Sequence, residues 1–192
     1  MKTIKRSSPL TSIMAVVIAT MVSSVSVPAY SCGLEPSVKG GFTVSYTGSL
    51  DVAIAVADAR NDGLLPQANL NPIPNMIRKQ QILADLQQLR TRLDKGRDEI
   101  ADNLNTPFSL VLVGPGLWSH FYMTSGGVLA NYHTDGPLAG KVVVLTHPTA
   151  LRAMLDGKLS IEQATRLGLI TYSGTDTTAI QRTFETSLQI KT

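Results

Sequence analysis

The stretch that most constrains this chain is Val142 to Gly174, where the hydrophobic pattern changes from that of a strand to that of a helix and back. Val142, Val143, Val144 and Leu145 form an apolar, mostly β-branched run just after Gly140-Lys141, which predicts a strand. Thr146 is suited to N-cap a helix, and Pro148 fits a first turn, whose early N–H groups have no intrahelical partner. Leu151, Met154 and Leu155 recur at i, i+3 and i+4, so one face of this helix is apolar. Gly157 closes it, since glycine accepts the left-handed conformation past a C-terminus. Ser160 starts a second, short helix that Gly168 stops, and Leu169 to Tyr172 reads as a returning strand.

Upstream, Phe108–Val113, Leu117–Thr124 and Val128–His133 read as three strands. Gly114-Pro115-Gly116 and Ser125-Gly126-Gly127 supply the turns between them, and Asp135-Gly136-Pro137 leads toward the strand at Val142. Strands followed by helices predict an α+β fold: a small antiparallel sheet, a meander, covered by helices. Leu151, Leu155, Gly157, Lys158, Leu159, Ala164, Gly168, Leu169 and Gly174 together resemble the C-terminal signature of the sterol carrier protein type 2 family. There a helix ends in a Gly-Lys-Leu turn, and a short helix, a glycine and a strand follow. The resemblance runs from about Pro107 to the end of the chain. It departs where the family usually keeps a lysine-rich strand and this chain has Ile170, Thr171 and Tyr172. It implies a sheet whose covering helices leave an apolar tunnel for a fatty acyl chain, sterol or isoprenoid.

The first residues read as an address rather than as fold. Lys2, Lys5 and Arg6 precede an apolar run, Ile13 to Val22, too short to span a bilayer comfortably. Val27-Pro28-Ala29 then offers small residues for cleavage before Tyr30. Residues 1–29 are expected to be a Sec signal peptide, and the protein periplasmic or extracellular. Those three cations are part of the 17 basic side chains, so 14 remain against 14 acidic ones. Without the leader there is no electrostatic case for nucleic acid or for an acidic membrane surface. Cys32 is the single cysteine, which excludes an intrachain disulfide. It reads as a free thiol, with acylation as a lipoprotein or pairing with another chain as the alternatives.

Residues 32–74 read as an accessory segment. Phe42 to Tyr46 alternates like a strand, and Gly48 breaks it. Ser49 is placed to N-cap a helix that Val52, Ile54, Ala55, Val56 and Ala59 make apolar on most sides, hence buried. Pro66, Pro72 and Pro74 then make a connector. Residues 75–192 form the expected sterol-carrier-like domain, opening on a long helix over 75–104. Ile82, Leu86, Leu89 and Leu93 form its apolar stripe, while Arg78, Lys79, Arg90, Arg92, Arg97, Asp85, Asp94 and Asp98 read as a solvated, mixed-charge face. The stripe lasts barely two heptads before Gly96, which favours packing on the core over a coiled-coil dimer.

No constellation speaks for catalysis. The nucleophile elbow G-x-S-x-G is absent, and Ser119 and His120 are strand neighbours that face opposite sides. Gly114-Pro115-Gly116 lies between strands, so it lacks the helix N-terminus of a phosphate loop. His120, His133 and His147 lie on or beside different strands without ligand spacing, so neither a metal nor another cofactor is expected.

What remains is apolar volume. Trp118, Phe121, Met123, Leu151, Met154 and Leu155 are the expected wall of a pocket between sheet and helices. The expected function is non-catalytic carriage of an apolar molecule or lipid, with transient membrane contact. The alternative is a filled scaffold that docks onto another exported protein, because the same periodicity serves a packed core.

Overall fold

A computed structural model of the chain describes residues 46–68, 74–96 and 106–189. The leader, Cys32, residues 42–45 and residues 97–105 lie outside them. Ten elements follow one another: α1 (Ser49–Asn61), α2 (Asn75–Gly96), β1 (Phe108–Leu112), β2 (Leu117–Thr124), β3 (Gly127–Thr134), β4 (Val142–Thr146), α3 (Pro148–Leu155), α4 (Ile161–Arg166), β5 (Ile170–Ser173) and α5 (Thr177–Gln189). The fold is α+β: a five-stranded sheet in the order β3-β2-β1-β4-β5, packed against helices. Among the described residues no helix is long and apolar enough to cross a membrane.

The first three strands are the expected meander, but β4 joins β1 in parallel, Phe108 opposite Val142 and Leu112 opposite Thr146, so the sheet is mixed. The cause is the segment 135–141. It leaves β3 at the level of Trp118 and recrosses the sheet before β4 begins. Two hydrogen bonds hold it there: His120 Nε2–H donates to the Gly136 carbonyl at 2.6 Å, and the Leu138 N–H to Ser109 Oγ at 2.8 Å. Because the segment runs back along the strands, β4 starts beside the start of β1 and runs with it. Parallel neighbours need such a crossover, and buried parallel strands read as unbroken apolar runs. Every residue of β1 and β4 is buried.

One sheet face and α2, α3, α4 and α5 enclose the main core, which Val56 and Ala59 of α1 also join. Ile82, Leu86, Leu89 and Leu93 of α2 are all buried in it, so the apolar stripe packs on the core as expected. The other face carries a smaller cluster in which Val52 of α1 meets Val111, Val113, Val143 and Leu145. The helix α1 is apolar inside and outside, yet only one side is covered: Leu50 is 62% and Ile54 52% exposed, against the expectation of a buried helix. Its N-cap is Gly48 in a left-handed conformation, not Ser49, whose hydroxyl is buried without making the cap.

The capping of α3 and α4 divides likewise. Ser160 caps α4 by accepting from the Gln163 N–H at 3.1 Å, and Gly157 takes φ 68° after α3. Thr146 does not cap α3. It stays in β4, its hydroxyl donating to the Leu169 carbonyl at 2.8 Å, and His147 caps instead.

The closing helix α5 has no counterpart in the sequence reading. It crosses α2 where Gly96 meets Ser187: an added Cβ on Gly96 would lie 2.4 Å from Ser187 Oγ and 3.0 Å from its Cα. Gly96 is therefore the crossing point of α2 and α5. Gly96→Ala would gain helix propensity but force the two helices apart, and a net loss of about 1–2 kcal/mol is expected in urea denaturation. An unchanged or higher midpoint would show that the crossing relaxes freely.

Candidate functional site

Five of the six expected pocket residues converge. Phe121, Met123, Leu151, Met154 and Leu155 belong to the main core cluster and are all buried. Trp118 does not join them: it lies on the opposite sheet face, edge-on to Tyr46 at 5.4 Å and packed on the smaller cluster. Strand periodicity requires this, since positions 118 and 121 have opposite parity.

Aromatic rings pack in the same cluster as these five. Phe108 stacks on Phe121 with ring centroids 5.1 Å apart. Phe184 of α5 meets Phe108 edge-on at 5.5 Å and Tyr172 at 6.0 Å. This aromatic row runs across the core face of the sheet. Phe184 is the member of the row that comes from the unanticipated helix.

A recess of about 510 Å³ opens instead where the ends of α2, α3 and α5 meet the start of α4. Met154, Leu159, Ile161 and Leu188 supply its apolar lining, and Arg92, Asp156, Ser160 and Glu162 its polar groups. Of the expected pocket residues only Met154 reaches it. Arg92 does not lie on a solvated face. It is 6% exposed, and its guanidinium donates to the carbonyls of Leu155 at 2.7 Å and Leu188 at 3.4 Å. One cation thus serves the C-terminal ends of two helices, whose last carbonyls lack intrahelical partners and carry the negative end of the dipole. Sequence offered one signal for it: Arg92 directly precedes Leu93 of the buried stripe.

Asp85 is the second charge drawn in from the face that reads as solvated. Its carboxylate takes both Nε and a terminal nitrogen of Arg152 at 2.8–3.2 Å, tying α2 to α3. Burial nevertheless raises its pKa above 3.8, outweighing the hydrogen bonds and charge of Arg152.

The three histidines are dispersed. His120 pins the crossover segment. His133, at φ 62°, lies at the register shift between β2 and β3, where one residue more on β3 than on β2 makes a bulge. His147 follows the last residue of β4 and N-caps α3. Its Nδ1 accepts from the Thr149 N–H at 3.1 Å, which puts the proton of the neutral ring on Nε2. Burial, then the positive charge of Arg60, lower its pKa to about 4. Among the described residues no three His, Cys, Asp or Glu side chains are grouped to hold a metal ion.

No protein-family model matches the chain, and no curated protein matches it. One solved structure does so distantly: the stereoselective inverting sec-alkylsulfatase Pisa1 from Pseudomonas sp., at 18% identity and a TM-score of 0.41. The match covers 51% of this chain and 15% of that one. Likeness of that size settles neither fold nor activity.

Proposed function

We propose that this chain is an exported, non-catalytic binder of an apolar small molecule, a variant on the sterol carrier protein type 2 theme. The ligand site is moved from the sheet face to the helical end. The observation that carries the reading is the recess lined by Met154, Leu159, Ile161 and Leu188. Its volume falls within the few hundred to about 1,000 Å³ usual for small-molecule sites. Burying an alkyl chain contributes about 0.8 kcal/mol per CH₂, so such a site needs few polar contacts. The resemblance at Gly157, Lys158 and Leu159 supports the reading, because these residues form the turn that brings Leu159 to the recess.

The test is expression of the precursor with its leader, followed by intact-mass measurement of the exported protein under native and denaturing conditions. The expected result is a chain beginning at Tyr30 whose native mass exceeds the denatured one by one lipid. Equal masses, and no thermal shift with added lipid, would overturn the binding reading.

A second reading has its own observation. The sheet core is filled by the Phe108, Phe121 and Phe184 row, and Leu50 and Ile54 stand exposed one turn apart on α1. A ligand-free scaffold that docks onto another exported protein through α1 accounts for both. Equal masses together with a partner lost on Ile54→Ser would favour it.

A further inference from the structure

The helix α2 overhangs the core. Its burial begins at Ile82, and every residue from Asn75 to Gln81 is at least partly exposed, a length of about 10 Å. Met76, at 72%, is the most exposed large apolar side chain among the described residues, and Ile77 beside it is 45% exposed. Arg78 and Lys79 follow, and from Gly63 to Ala84 the chain carries no carboxylate. Among the described residues neither cation is in an ion pair. The tip of α2 is therefore apolar and then positive.

The recess at the other end of α2 is its complement. Met154, Leu159, Ile161 and Leu188 form the apolar wall, and the carboxylates of Asp156 and Glu162 stand beside it. Asp156 is paired with Lys158 at 2.9 Å, an exposed pair that salt and solvent screen. Glu162 is exposed and, among the described residues, in no ion pair. We propose that the α2 tip of one copy of this chain seats in the recess of another. Met76 and Ile77 then lie against the apolar wall, and Arg78 and Lys79 meet the two carboxylates.

The occupant is a second copy because a chain cannot reach its own recess. Met76 and Arg92, which lines the recess, lie about 24 Å apart along one continuous helix. Each copy thus carries both halves of the contact, well separated. Helical turns that pack on nothing are marginal by themselves, so the overhang gains from burial. One helix end cannot bury the roughly 800 Å² per partner of a stable interface, so the association is weak and depends on concentration. An apolar ligand in the recess competes with the tip. The inference therefore goes beyond the binding reading without resting on it.

The experiment is analytical sedimentation of the exported protein, passed over a hydrophobic resin to clear the recess, at concentrations up to about 1 mM. The weight-average mass is expected to rise with concentration, and less so in high salt. Met76→Asp alters only the tip and Glu162→Lys only the recess. Each is expected to weaken association about tenfold or more, the first by placing a charge against the apolar wall, the second by repelling Arg78 and Lys79. Both positions are exposed, so the urea midpoint should stay that of the parent. Mixing the two variants is expected to restore association that neither shows alone, since the intact tip of one fits the intact recess of the other. A parent that stays monomeric throughout, or a mixture no more associated than its components, would overturn the inference. Either result leaves the binding reading to the native and denatured masses.

Discussion

Arg92→Met is expected to lower the stability of the fold by about 3 kcal/mol, read as a fall in the urea midpoint at unchanged m-value. The methionine keeps much of the apolar stem and removes the guanidinium. The Leu155 and Leu188 carbonyls then lose the donor that closes the ends of α3 and α5. A buried acceptor left unsatisfied costs about 1–3 kcal/mol, and two are exposed to that cost here. The loss should be local as well as global: amides in the last turns of α3 and α5 should exchange faster than the rest of those helices. Arg92→Lys should recover less than half of the loss, because an ammonium is a point donor and lacks the fork that spans two helix ends. A methionine variant as stable as the parent, with unchanged exchange, would mean that the two carbonyls find other donors.

Acid should weaken the same fold through His147. Its pKa in the folded chain lies near 4, below the ordinary 6.5, because burial and the neighbouring Arg60 disfavour the charged ring. The neutral form is thus the one the fold favours. Its contribution is complete above pH 6.5 and is lost as pH falls from there toward 4, by about 3 kcal/mol at most. Protonation also occupies Nδ1, which then can no longer accept from the Thr149 N–H, so the cap of α3 is lost with it. Asp85 works in the opposite sense. Its pKa is raised above 3.8, so its contribution is greatest in acid and declines as pH rises through that range. His147→Asn separates the two, since asparagine caps a helix without titrating. Denaturation at pH 7.5 and at pH 4.5 should show a smaller difference for the variant than for the parent. Equal differences would show that His147 does not carry the acid sensitivity.

What the sequence disclosed was what a few neighbouring atoms decide. Ser160 and Gly157 act as their types suggest because a cap and a left-handed turn need only local backbone. The stripe of α2 was legible for the same reason, since four leucine and isoleucine side chains at helical spacing leave one buried face. The face assigned to Trp118 was also legible, from strand parity, and grouping it with Phe121 ignored that rule.

The rest depends on what lies far away along the chain. No local pattern distinguishes β4 paired antiparallel from β4 paired in parallel, because segment 135–141 decides it by recrossing the sheet. Thr146 is a better cap by type than His147. The imidazole prevails because burial keeps its Nδ1 unprotonated while the threonine hydroxyl is taken by Leu169. Arg92 and Asp85 look solvated on a helix of mixed charge until α3 and α5 close over them. The packing around Phe108 depends on a distant element as well. Phe184 arrives on a helix outside the recognised pattern and occupies the space between Phe108 and Tyr172.

The bulge at His133 also shapes what the sheet can do to other chains. β1 and β4 are central, so the outer strands are β3 and β5, and an outer strand offers its unpaired backbone groups as a template for aggregation. Here neither template is good. β5 is four residues long, and β3 is broken near its end by a residue at positive φ, with Asn131 and His133 exposed along it. A strand arriving from another molecule would lose register at the bulge on one side and run out of partners on the other. The protein is thereby guarded against growing its sheet from molecule to molecule at high concentration.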